Sequence, residues 1–75
     1  MTAKQIERAL VDARISDEAD PIRIHRGNGY VYVTGGETPK WYTTSILTSR
    51  LSDMTIDQWV AEIRWMASDE NRSDR

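Results

Sequence analysis

The chain has no cysteine, no phenylalanine, a single histidine and two prolines. Without thiols there is no disulfide to staple the fold and no thiolate metal site. The lack of disulfides also fits a cytosolic, cytoplasmic setting. One imidazole, His25, has no second His or Cys to join it in a zinc-type ligand set. The same scarcity weakens nucleophilic catalysis: any Ser–His–Asp arrangement would have to converge on His25, and no G-x-S-x-G segment occurs. No run of 18 apolar residues is present, and the first residues lack the apolar core of a signal peptide, so neither a membrane span nor secretion is expected. Positive charge is not in surplus either. Ten Lys and Arg stand among twelve Asp and Glu, for a net charge of −2, which argues against a phosphate-gripping nucleic-acid surface. The expectation is a protein that is not an enzyme, with no catalytic residue, cofactor or metal.

What the chain does contain is a globular mixture: 39% hydrophobic and 29% charged residues over 75 positions. That length gives one domain, with a small core and modest stability. Residues 1–68 read as a single α+β domain and residues 69–75 as a polar C-terminal tail. "TAKQIERALVDAR" reads as a helix. Thr2 and Gln5 stand at capping-box spacing, and Ile6, Ala9, Leu10 and Ala13 form one apolar stripe. Lys4, Glu7, Arg8, Asp12 and Arg14 fall away from that stripe, with Glu7 placed to suit the positive end of the helix dipole. "SDEADP" ends the pattern, because Pro21 disfavours helix at Asp20.

"PIRIHRGNGYVYVTGG" predicts a hairpin about Asn28-Gly29, a dipeptide that tolerates the two positive φ values of a type I′ turn. A two-residue turn there pairs Gly27 with Tyr30, Arg26 with Val31, His25 with Tyr32 and Ile24 with Val33. Ile22, Ile24, Val31 and Val33 then share one face, and Arg23, His25, Tyr30, Tyr32 and Thr34 the other. A one-residue shift would mix the two sets. Gly35-Gly36 opens a second turn, closed by Pro39, and "KWYTTSILTS" predicts a third strand. The preferred facing puts Tyr42, Thr44, Ile46 and Thr48 inward and Trp41, Thr43, Ser45 and Leu47 outward; the alternative buries Trp41 and Leu47. In "SDMTIDQWVAEIRWMASDE", Thr55 and Gln58 repeat the capping box, and Met54 and Trp59 stand at hydrophobic-staple positions. Ile56, Trp59, Val60, Ile63, Met66 and Ala67 share one side of that helix, while Trp65 projects from the opposite side. The predicted fold is a two-layer α-β-β-β-α domain, a three-stranded antiparallel meander with both helices on one face.

Such a sheet leaves its other face uncovered. Arg23, His25, Tyr30, Tyr32 and Trp41 would populate it, and Trp65 adds a large apolar surface on a polar helix face. Tyr, Trp and Arg are the types enriched at interface hot spots, so these six are the candidate partner-binding residues. Cross-strand aromatic pairing within the domain is the competing explanation for the tyrosines, and packing on the tail or the first helix for Trp65. The carboxylates Asp17, Glu18 and Asp20 form either an acidic hook for a basic partner or a solvated loop.

Two likenesses follow. The α-β-β-β-α order resembles the double-stranded-RNA-binding domain in topology alone. Asp53 and Asp57 stand at the start of the last helix, where that family places lysines. The segments Gly29-Tyr30-Val31-Tyr32-Val33-Thr34-Gly35-Gly36, Trp41 and Met54-Thr55-Ile56-Asp57-Gln58-Trp59 resemble the GYxYxxGG…W…LTxxQW pattern of a family of small phage and prophage proteins of unknown function. This likeness spans residues 22–66 and has Met54 at the Leu position. It implies a phage or prophage accessory protein in the bacterial cytoplasm and supplies no catalytic residues. The expected function is a protein-interaction module that binds, and in one form inhibits, a host or defence protein. The alternatives are a small factor stacking single-stranded bases beside Arg23, Arg26 and Lys40, and a homodimer formed through the open sheet face or Trp65.

Overall fold

The computed structural model describes residues 1–68; the tail read at 69–75 lies outside the described residues. Helix α1, Ala3–Asp12, starts where the sequence places it. Thr2 Oγ1 accepts from the Gln5 amide at 3.3 Å and Gln5 Oε1 accepts from the Thr2 amide at 2.8 Å, so two amides with no partner inside the helix are satisfied. The helix stops at Asp12, and Arg14 follows with φ 62°. Helix α2, Ile56–Met66, begins with the same device on Thr55 and Gln58.

Between the helices lie β1 (Arg23–Arg26), β2 (Val31–Thr34) and β3 (Ser45–Ile46), an antiparallel sheet of order β1-β2-β3. The fold is thus the expected α+β arrangement of two helices and a three-stranded meander. The register of β1 on β2 is also the expected one: Arg26 opposite Val31, His25 opposite Tyr32, Ile24 opposite Val33. Ile22, Ile24, Val31 and Val33 are buried with Ile6 and Leu10 of α1 and Trp59, Ile63 and Met66 of α2. Both helical stripes therefore meet one face of the sheet, and removing this apolar surface from water is the main stabilising term.

Two local expectations are corrected. The Asn28-Gly29 turn has positive φ at Gly29 alone, 84°. That sign pattern belongs to a type II rather than a type I′ turn. Glu7 lies beyond the first turn of α1, where it was expected to suit the positive end of the helix dipole. Its carboxylate reaches the sheet, where Oε2 accepts from the Ile24 amide at 2.8 Å.

The third strand is shorter than predicted, with two residues in place of ten. Pro39 does close the turn, within a 3-10 helix at Thr38–Lys40, and a bend at Tyr42 then breaks the in-out alternation. From residue 43 onward the preferred facing holds: Thr44, Ile46 and Thr48 are half-buried, and Thr43, Ser45 and Leu47 exposed. Before the bend it is reversed. Trp41 is buried at 6% exposure, whereas Tyr42 is 70% exposed. A second 3-10 turn, Leu51–Asp53, carries the chain into α2, and its Leu51 carbonyl accepts from Trp59 Nε1 at 2.7 Å.

Candidate functional site

The outer face of the sheet is built by the hairpin register. Because Val31 and Val33 point into the core, Tyr30 and Tyr32 must point out, and they are 39% and 36% exposed. His25, directly opposite Tyr32, stacks on it with ring centroids 4.9 Å apart and planes 17° from parallel. Tyr30 leans on Tyr32 at 5.8 Å and 33°. The Tyr30 ring also lies over Gly27, where a Cβ would collide with it. His25 Nε2 and Thr34 Oγ1 share a hydrogen bond of 2.7 Å. The aromatics thus form one pre-arranged layer, and its members restrain one another before any partner arrives.

Arg23 stands at the rim of this layer, its guanidinium 3.7 Å from the Glu7 carboxylate. That tie draws one of the three cations of the base-stacking alternative toward a carboxylate. Trp65 is 52% exposed on α2, and the tail that was its alternative packing partner lies outside the described residues. Trp41 is not part of the layer. Its burial removes it from the candidate docking residues, and its Nε1 has no hydrogen-bond partner among the described residues. It lines a cleft of about 440 Å³ with Ile22, Ala67, Asp17, Asp20 and Glu37. Among the described residues no group of three or more His, Cys, Asp or Glu side chains is placed to hold a metal ion.

The acidic loop has a local explanation. Asp17 Oδ1 accepts from the Ala19 amide at 3.0 Å in a tight turn bridged by Asp17 and Asp20. Glu18 lies 3.9 Å from Arg8, which also pairs with Asp12. These pairs are exposed and contribute little stability.

Leu47 is the residue that the candidate set missed. It is 91% exposed, and extending the β2–β3 register by one step sets it opposite Tyr30. The outward facing of Leu47 was legible in the sequence; its adjacency to Tyr30 was not, because it depends on the β2–β3 register. No helix among the described residues is long and apolar enough to cross a membrane. The chain matches no family model, no curated protein and no solved structure.

Proposed function

We propose that this protein is a non-enzymatic interaction module that docks a partner protein on the outer face of its sheet. The observation that carries the reading is the layer of His25, Tyr32 and Tyr30, held by mutual stacking on the side away from both helices and left open to solvent. A preorganised aromatic surface loses little side-chain freedom on binding, which favours it as an anchor. Arg23, at the rim, supplies a charge next to the rings. Under the phage and prophage likeness, the setting is the bacterial cytoplasm and the partner a host or phage protein, with inhibition of a defence complex as one outcome. Tyr32→Ala tests the reading. It should abolish retention of partners from bacterial lysate while the thermal transition stays within a few degrees of the parent. Retained partners together with a lost transition would make Tyr32 a structural residue only.

Trp65 supports a second reading, self-association, because a half-exposed indole on a polar helix face is a candidate isologous contact. Light scattering decides it: a dimer that Trp65→Lys converts to monomer supports this reading, and a monomer at all concentrations removes it.

A further inference from the structure

We infer that the β3 edge of the sheet accepts an extended, acidic segment of a partner protein as a fourth strand. This rests on the outer-face reading and specifies the mode and chemistry of the contact. The two edges of the sheet are finished differently. On β1, the Gly27 amide donates to the Tyr30 carbonyl at 2.8 Å. Alternation then makes His25–Tyr32 and Arg23–Thr34 the hydrogen-bonded pairs and turns the amides of Ile24 and Ile22 away from β2. Side chains take both: Ile24 N–H donates to Glu7 Oε2 at 2.8 Å and Ile22 N–H to Ser16 Oγ at 2.7 Å. An edge occupied in this way offers less to another strand.

On the other edge, Val33 N–H donates to the Thr44 carbonyl at 2.9 Å. Val33–Thr44 and Val31–Ile46 are therefore the hydrogen-bonded pairs, and Tyr32–Ser45 is not. Ser45 turns its N–H and C=O outward, and so, by the same alternation, does Leu47. No side chain among the described residues covers the Ser45 amide as Glu7 and Ser16 cover those of β1. The exposed side chains of Leu47 and Tyr42 flank this edge, and Leu47 joins it to the tyrosine layer. Strand addition fits such a place: main-chain hydrogen bonds supply affinity and alternate side chains supply selectivity.

Charge selects the occupant. From Thr38 to Ser52 the only charged residues are Lys40 and Arg50, both exposed, in a chain of net charge −2. The carboxylates that flank this stretch are Glu37, which lines the Trp41 cleft, and Asp53, which is engaged by the Thr48 hydroxyl and the Arg50 amide. A second copy docked edge to edge would crowd four cations along one short ladder, whereas an acidic strand meets two.

The probe is a short peptide of alternating valine and glutamate, titrated into ¹⁵N-labelled protein beside its valine–lysine counterpart. The acidic peptide should shift the Ser45 and Leu47 amides and slow their hydrogen exchange, with little effect from the basic one. Ser45→Pro, which removes the central donor, should weaken binding about tenfold. Leu47→Glu, which touches no core residue, should do likewise and carries the test if Ser45→Pro perturbs folding. Equal response to both peptides, or unmoved Ser45 and Leu47 amides, overturns the proposal. Shifts confined to Tyr30 and Tyr32 also overturn it, but leave the outer-face reading standing. A mass that doubles without peptide and reverts in Leu47→Glu would assign the edge to a second copy and overturn it as well.

Discussion

The hairpin of β1 and β2 and the segment after it, residues 37–54, belong to one sheet but are positioned by different physics. In the hairpin each strand has four residues, a two-residue turn sets the pairing, and Tyr30 lies over Gly27 at the tip. Those devices are local. The following segment has only two residues in its strand and a 3-10 turn on each side. Side chains that enter the core hold it instead: Thr38, Trp41 and Leu51 are buried, and the Leu51 carbonyl is tied to the Trp59 indole. The lesson is that a strand can be fixed by anchors at its ends more than by its ladder. The outer face inherits both kinds of control, with the tyrosines placed by the hairpin and Leu47 by the anchors.

The largest effect should come from the anchor that joins the two regions. Trp59→Ala removes a fully buried indole and orphans the Leu51 carbonyl. Such truncations cost about 3–5 kcal/mol, a large share of what a domain this small holds. Its thermal transition followed by circular dichroism should be lost or shifted far downward. If amide protection disappeared only in residues 38–54 while the hairpin stayed protected, the segment would be an independent unit and the anchoring argument would fail.

The two edges give the next test. Glu7→Ala leaves the Ile24 amide without its charged acceptor, at a cost of about 1.5–3 kcal/mol. Glu7→Gln keeps an acceptor and should recover part of that. Leu47→Ala, at an exposed site, should stay within about 0.5 kcal/mol. Urea unfolding of the three variants checks this. Equal costs for Glu7→Ala and Leu47→Ala would erase the distinction between a finished and an open edge.

How much was legible follows the same division. The alternation of Ile22, Ile24, Val31 and Val33 with the tyrosines, read against a two-residue turn, carried the register because a slip by one would have put valines in water. Both capping boxes were legible because three-residue spacing alone brings those groups together. Trp41 was not legible. Its facing is set by the Thr38–Lys40 turn and the bend at Tyr42, which take that stretch out of the two-residue period. Glu7 was missed because its partner, the Ile24 amide, is 17 positions away. Polar patterning on a helix says which residues avoid the stripe, but not which of them a neighbouring strand will capture. The candidate site was legible where it depends on the hairpin, at His25, Tyr30 and Tyr32, and not where it depends on β3.

The turn offers a smaller and sharper comparison of two adjacent residues. Gly29 has φ 84° with open space where a Cβ would stand, so Gly29→Ala meets only the backbone penalty, about 1–2 kcal/mol. Asn28 does not have positive φ, and Asn28→Ala should therefore cost no more than about 0.5 kcal/mol. A type I′ turn would need positive φ at both positions and would give Asn28→Ala a larger penalty than this. Chemical denaturation of the two variants side by side separates the two turn types.

The smallest effect tests whether the entry to α2 is held by charge. Asp53 has its pKa lowered below the ordinary 3.8, first by the Thr48 hydroxyl, which donates to its carboxylate, then by the Arg50 amide. A lowered folded-state pKa means that the ionised carboxylate favours the fold. This contribution is complete above the unfolded-state pKa and disappears as pH falls through the lower folded-state value. Asp53→Asn should accordingly be less stable than the parent at neutral pH by a constant small amount. The gap should narrow below about pH 4, as the parent carboxylate takes up its proton and comes to resemble the amide. Thr48→Val should reproduce part of the neutral-pH loss, because it removes the leading cause of the shift. Urea midpoints of the three proteins from pH 7 down to pH 3 show the pattern. A gap between parent and Asp53→Asn that stayed flat through that range would mean that the side chain caps the Leu51–Asp53 turn by shape alone, without help from its charge.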